Sequence, residues 1–280
     1  MIVYINGQFV EQEKAQISVW DIGLLRGYGG FEFLRTYHGK LFHLQDHMQR
    51  LQKTLDTLEI AYCVSCSSMQ NIIEALLEKN RFQDAFIKIL VTGGASQNHT
   101  TPLSFSSPTV IVMTYPPYPF DPASYTKGVS AITYPAVREL NEIKSLNYTI
   151  ATMARKKALE KNAAEAIYID QNGFLYEGAF SNVFFCKNDQ IITAEEKILQ
   201  GITRNIVLDL AHSLYKIEKR RLHQKELVDV KEAFITSTSQ KIVPLSGINQ
   251  MQLSAPGPIT THLMQLFSSY IDQTVKKVGC

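Results

Sequence analysis

One lysine in this chain is placed where it could act as a nucleophile. Lys144 lies in Asn141-Glu142-Ile143-Lys144-Ser145-Leu146-Asn147-Tyr148, a stretch that begins as a loop and runs into a helical pattern. A primary amine held near an electrophilic carbonyl condenses with it. Glu177 is a lone carboxylate at the end of a strand pattern, and burying it requires a donor that matches its charge. Gly201-Ile202-Thr203 opens a helix, where unpaired backbone N–H groups, a hydroxyl and the positive end of the dipole suit a phosphate. Ser237-Thr238-Ser239 closes a strand with three hydroxyls. His47 and Arg50 share a helix face, and the arginine could add phosphate-binding charge.

Each of these has a plain alternative. Lys144 could face solvent, Glu177 could sit on a surface turn, and Thr203 could be an ordinary helix cap. The three hydroxyls could form a polar turn, and Arg50 could be solvated. Together, however, an amine, a carboxylate and several phosphate donors are the set that pyridoxal 5′-phosphate requires. The amine meets its aldehyde, the carboxylate keeps its ring nitrogen protonated, and the remaining groups hold its phosphate.

The elements that must position this set can be read along the chain. Ile2–Ile5 and Gln8–Val10 flank Asn6-Gly7, a hairpin signal. Gly27 to Tyr37 is a glycine-rich turn feeding an alternating strand, and its glycines would let backbone approach a ligand. Leu44, Met48, Leu51, Leu55 and Leu58 recur at helical spacing. A second helix covers about Met69 to Lys79. Ala85–Thr92 and Thr109–Tyr115 read as strands, separated by a polar loop that starts at Gly93. The prolines at 116, 117, 119 and 122 stiffen the chain and mark a linker. Beyond it come a strand at Gly128–Thr133 and a helix ending near Asn162. Hairpins turn at Gln171-Asn172-Gly173 and near Lys187–Gln190. A helix starts at Gly201, a short strand covers Ala233–Thr236, and a terminal helix runs from about Thr260 to Val278. The expected organisation is a domain at 1–118, a linker at 119–127 and a second domain at 128–280.

Composition restricts the remaining classes. Of 280 residues, 45% are hydrophobic and 19% charged, which is ordinary for a folded protein. A formal net charge of +2 gives no field strong enough to select nucleic acid or a membrane surface. No long charge-free apolar run is present. The first residues read as a strand and lack the pattern of a signal peptide. Cys63 and Cys66 form a CxxC with no second pair at ligand spacing, so no metal is expected, and a reducing cytoplasm is the expected compartment.

Five motifs in order resemble a known family. They are Phe31–Tyr37 (FEFLRTY), His47–Leu51 (HMQRL), Ile143–Tyr148 (IKSLNY), Glu177–Phe185 (EGAFSNVFF) and Gly201–Arg204 (GITR). The chain is similar to the fold-type IV pyridoxal phosphate enzymes, the class IV aminotransferases, from its first hairpin to Pro244. That group holds branched-chain aminotransferases, D-amino-acid aminotransferases and aminodeoxychorismate lyase. The resemblance implies an α/β (α+β) fold with a small N-terminal α/β domain, a larger C-terminal pseudo-barrel domain and cofactor between them, in a homodimer. It implies Lys144 as the Schiff-base lysine and Arg50 on the phosphate. Tyr148 would hydrogen-bond the ring hydroxyl, and Glu177 would pair with the ring nitrogen. Ile202, Thr203 and Thr238 would hold the phosphate. Phe31 would line the substrate pocket, and Ser239 would lie near the substrate carboxylate.

Departures from the family pattern bear on the reaction. The loop from Thr193 to Gly201 is shorter than usual and lacks a proline after the threonine. D-amino-acid aminotransferases place an arginine after the strand ending at Thr92. This chain has Gly93-Gly94-Ala95-Ser96-Gln97-Asn98-His99, with His99 as a substitute donor. Phe31 stands where that subfamily tends to have tyrosine. The lyases tend to have IKHLNR, so Tyr148 favours transamination. The expected reaction moves an amino group from an apolar, branched-chain-like amino acid to a 2-oxo acid. The alternatives are a lyase giving 4-aminobenzoate and pyruvate, or a D-specific transaminase.

Overall fold

Alternation in the first third of the chain builds a sheet with one face covered by helices. A computed structural model describes residues 1–96 and 107–277. Asn6 and Gly7 both take positive φ, which closes the hairpin of β1 (Ile2–Ile5) and β2 (Gln8–Glu11). A short helix α1 (Ile22–Arg26) then leads to β3 (Gly29–Tyr37) and β4 (Lys40–Leu41). Next come α2 (Leu44–Thr57), α3 (Cys66–Asn80), β5 (Phe86–Thr92) and β6 (Thr109–Tyr115). The strands form one antiparallel sheet in the order β2-β1-β6-β5-β3-β4. Leu34, Ile87, Ile89, Val91 and Val112 share a core cluster with Leu51 and Leu55 of α2 and Ile73 and Leu76 of α3. Each buried aliphatic side chain there contributes about 1.5–3 kcal/mol.

The second half builds a larger sheet. Its elements are α4 (Ala123–Thr126), β7 (Val129–Pro135), α5 (Thr149–Glu160), β8 (Glu165–Ile169) and β9 (Phe174–Gly178). β10 (Asn182–Lys187), β11 (Gln190–Thr193), α6 (Ile202–Ala211), β12 (Lys216–Lys219) and β13 (Leu222–His223) follow. β14 (Glu232–Ser237), β15 (Lys241–Ile248), β16 (Met251–Gln252) and α7 (Pro258–Lys277) complete it. The strand order is β12-β11-β10-β14-β15-β7-β8-β9-β13, with β16 on β15, and the sheet forms a half-barrel. Ala151, Ala154 and Ala158 let α5 lie close against Ala166, Tyr168 and Tyr176, while Ile167, Val183, Val243 and Leu245 belong to a separate core cluster.

Two compact units result. One holds Met1–Tyr118, Ile143–Asn147 and the last residues, and the other holds Pro119–Glu142 and Tyr148–Lys276. The chain therefore enters the first unit a second time for only Ile143–Asn147, inside the span read as the second domain. The expected linker at 119–127 carries α4, and the Tyr125 hydroxyl donates to the Gln240 carbonyl at 3.1 Å, so this stretch is packed into the second unit.

Candidate active site

In the first unit, Lys144 is held by backbone pairing. Ser145 forms an antiparallel bridge with Gly30, the Phe31 N–H donates to the Lys144 carbonyl at 2.9 Å, and the Leu146 N–H donates to the Gly29 carbonyl at 2.9 Å. Gly29 and Gly30 are needed for that approach. A Cβ on Gly29 would sit 2.7 Å from Leu146 Cδ1, and one on Gly30 would sit 2.5 Å from Thr54 Cγ2. The glycines thus admit the lysine segment and α2, where the sequence suggested close approach to a ligand. The half-buried Lys144 points its Nζ at the Phe31 ring, 4.6 Å from its centre. Aromatic faces attract an ammonium at that range.

Arg50 and His47 meet on the buried face of β3, and a residue overlooked in the sequence joins them. The carboxylate of Glu32, fully buried, accepts from Arg50 Nε at 2.7 Å and Nη2 at 2.8 Å. His47 Nδ1 lies 2.6 Å from the same carboxylate. Burial alone would raise the Glu32 pKa, but Arg50 and then His47 outweigh it and hold the group well below the usual carboxylate range. Burial pushes the His47 pKa down, with Arg50 and Lys144 adding to that against the pull of Glu32. The Glu32 carboxylate can only accept, so His47 Nδ1 carries the hydrogen of that bond. A charge on the inward side of a buried alternating strand is the signal in FEFLRTY that went unread.

In the second unit, Glu177 lies near the end of β9 and is 3% exposed. Its Oε2 accepts from Asn182 Nδ2 at 3.1 Å and from the Leu199 N–H at 3.0 Å, and its Oε1 lies 3.4 Å from Arg138 Nη1. Asn182 also donates to the Leu199 carbonyl at 2.8 Å. The loop that supplies Leu199 is clamped by buried Arg204. That guanidinium reaches the Ala194 carbonyl, Glu195 at 2.6 Å and Gln200 at 2.7 Å. These bonds tie the Thr193–Gly201 loop to the first turn of α6. Sequence reasoning missed Asn182, Arg138 and the Leu199 N–H. Asn182 was visible inside EGAFSNVFF, but only the fold shows what it holds.

Gly201 is the N-cap of α6 and provides no side-chain cap. Thr203 lies inside the helix, 7% exposed, so the alternative reading of Thr203 as the cap does not hold. A Cβ on Gly201 would sit 2.1 Å from Asn182 Oδ1, which ties the start of α6 to the residue that holds Glu177. Tyr148 is the N-cap of α5. Its ring lies 5.6 Å from that of Phe180 and 6.0 Å from the Arg138 guanidinium. Thr238 and Ser239 follow the end of β14, where Ser237 Oγ lies 3.3 Å from Ser239 Oγ and accepts from the Gln240 N–H at 3.2 Å. Buried Thr236 Oγ1 has no hydrogen-bond partner among the described residues. His99 lies outside the described residues.

The first unit thus holds an amine beside an aromatic face, and the second holds a buried carboxylate with two N–H donors and a helix start without a side-chain cap. The chain belongs to the class IV aminotransferase family, whose model matches residues 29–248, and it is an enzyme of the transferase class. It is 33% identical over 278 residues to a Methanocaldococcus jannaschii protein provisionally named a branched-chain-amino-acid aminotransferase, with 95% of each chain covered. It is also 33% identical to a D-alanine aminotransferase of Bacillus licheniformis, covering 99% of this chain and all of that one. Among solved structures, the Escherichia coli branched-chain amino acid aminotransferase superposes with a TM-score of 0.89 at 25% identity, covering 96% of this chain and 93% of the other. The expected α/β (α+β) fold is the one observed, with two sheets of which one is a half-barrel, and these neighbours are fold-type IV branched-chain aminotransferases.

Proposed function

We propose that this protein binds pyridoxal 5′-phosphate through Lys144 and transfers an amino group from an apolar, branched-chain-like amino acid to a 2-oxo acid. A second branched-chain amino acid aminotransferase of known structure, with a TM-score of 0.88 and 26% identity to this chain, holds pyridoxamine 5′-phosphate. The residues here fit such a group by the chemistry of their donors. The start of α6 lacks a side-chain cap, which suits a phosphate on the N–H groups of Ile202 and Thr203 and on the Thr203 hydroxyl. Thr238 and Arg50 complete that set. Glu177 would take the ring nitrogen, and Tyr148 the ring hydroxyl.

When bound, the cofactor supplies an aldehyde for the amine and a ring that accepts the electron pair left on the substrate's α-carbon. Lys144 Nζ removes the α-proton and returns it on the cofactor side, acting as base and then acid. Asn182 and the Leu199 N–H hold Glu177 by Oε2, and Arg138 lies 3.4 Å from its Oε1. Phe31 forms an apolar wall beside the reacting amine, and Ser239 is the proposed contact for the substrate carboxylate. That wall, 4.6 Å from Lys144 Nζ, is the observation that carries the apolar reading.

The D-alanine aminotransferase relative keeps a second reading open, in which the substrate is a small D-amino acid. The purified protein should be yellow, and borohydride should fix cofactor mass on Lys144. With 2-oxoglutarate as acceptor, L-leucine or L-valine should react and D-alanine should not. The opposite preference would establish the second reading. Pyruvate and aminobenzoate released from aminodeoxychorismate without an acceptor would replace both with lyase chemistry.

We further propose a homodimer in a reducing cytoplasm. Ile17, Val19, Trp20, Leu24 and Leu25 are all exposed apolar side chains of the first unit, which suits a second copy. Cys63, Cys66 and Cys186 are free thiols, which suits that compartment. Among the described residues no helix is long and apolar enough to cross a membrane.

A further inference from the structure

Glu32 is a fully buried carboxylate for which the proposed reaction has no task. It stands on the helix-facing side of β3, between buried Phe31 and partly buried Phe33. A carboxylate there is costly unless it is paired. Arg50 pairs with it through two parallel bonds, Nε to Oε1 and Nη2 to Oε2, and His47 Nδ1 bonds the same Oε2. A guanidinium is a rigid planar fork, so fixing its Nε–Nη2 edge also fixes the direction of the rest of the group. His47 in turn stops the carboxylate from rotating.

The burial of the pair is uneven. Glu32 is wholly enclosed, whereas 12% of the Arg50 side chain is exposed. Ion pairs that serve stability alone are commonly replaceable by apolar residues at little cost. This one holds a cation that keeps some solvent exposure, one helical turn from the Thr54 hydroxyl that meets the Lys144 backbone.

We infer that Glu32, locked by His47, is a positioning residue that aims the Arg50 guanidinium at the cofactor's phosphate. The inference rests on the reading of Arg50 as a phosphate ligand. Glu32 itself touches neither cofactor nor substrate and acts only through Arg50.

The test compares binding of pyridoxal 5′-phosphate with binding of pyridoxal, which lacks the phosphate, to cofactor-free full-length protein. Glu32→Gln should weaken the phosphorylated form about tenfold or more, equivalent to ~1.4 kcal/mol, and leave pyridoxal nearly unchanged. Glu32→Gln combined with Arg50→Lys should bind no more weakly than Arg50→Lys alone, because the two act as one unit. His47→Ala keeps the Glu32–Arg50 pair intact and should show the same phosphate-selective loss at smaller size, which covers the case in which Glu32→Gln does not fold. Equal loss for both ligands, tighter or unchanged phosphate binding, or additive effects in the double variant would overturn the inference. If Arg50→Lys weakens phosphate binding and neither Glu32→Gln nor His47→Ala does, only the role of Glu32 fails. If Arg50→Lys has no effect, Arg50 leaves the phosphate site and Glu32 loses its role with it.

Discussion

The main-chain N–H of Lys144 donates to Thr54 Oγ1 at 3.2 Å, across 90 residues of sequence. The same hydroxyl donates to the Arg50 carbonyl at 2.9 Å, so one threonine joins the lysine segment to the arginine's turn. Thr54 is fully buried. Thr54→Val keeps the shape and strands the lysine amide, an expected loss of about 1–3 kcal/mol. Urea unfolding should show that loss in the valine variant and little in Thr54→Ser.

Lys144→Ala should leave the fold intact, since the side chain is half-buried and its segment is held by backbone bonds. Proton transfer by a positioned group contributes about 10²–10⁴-fold, and the variant's turnover should fall at least that far. Stopped-flow turnover and the absence of a borohydride adduct check this together. An adduct on another lysine would refute the assignment.

Gly201→Ala places a Cβ against Asn182 Oδ1, and overpacking of this kind costs about 1–3 kcal/mol. Adding Asn182→Ala removes the obstruction, so the double variant should be more stable than the sum of the single effects allows. It should remain slow, because Glu177 has lost a donor. Thermal unfolding and kcat, measured side by side, separate the two effects.

Glu32 and Glu165 should give stability profiles of opposite sign. The folded pKa of Glu32 is lowered, so its contribution is full above the unfolded carboxylate value of about 4.3 and is lost as pH falls from there through the folded value. Glu165 is raised, first by burial, against the opposing bonds from Ser181 and the Ala166 N–H. With the folded pKa raised, its contribution is full at acid pH and is lost as pH rises through the folded value. Relative to the parent, Glu165→Gln should therefore gain stability from pH 5 to pH 8, and Glu32→Gln should regain ground as pH drops toward 3. Denaturation midpoints across that range decide it.

Charge placed among the exposed apolar residues between Ile17 and Leu25 tests the proposed assembly. Trp20→Asp with Leu24→Asp should convert a dimer to a monomer by light scattering. A parent chain that is already monomeric would remove the proposal.

Most of the fold was legible because local pattern and core face agree. The Asn6-Gly7 turn, the leucine spacing of α2 and the alternation in β3 each signal what they form. β15 was missed because Pro244 and Gly247 interrupt its pattern, although it lies between β14 and β7. α1 was missed because five residues carry too little periodicity to read. Lys144 and Glu177 stood out by residue type alone, and the structure describes each within its own unit. Glu32, Thr54 and Asn182 did not, because the partners that define them are distant in the chain: 18 residues for Glu32 to Arg50, 90 for Thr54 to Lys144 and 17 for Asn182 to Leu199.

The pairing of Gly29–Phe31 with Lys144–Leu146 has a consequence for synthesis. A chain released at Tyr118 contains every strand of the first sheet, yet the Phe31 N–H and the Gly29 carbonyl still wait for residues more than a hundred positions downstream. A growing chain folds from its N-terminus in domain-sized steps. Here the first step stays incomplete until Asn147 has emerged, so the segment that carries Lys144 joins its unit only after the chain has left that unit at Tyr118.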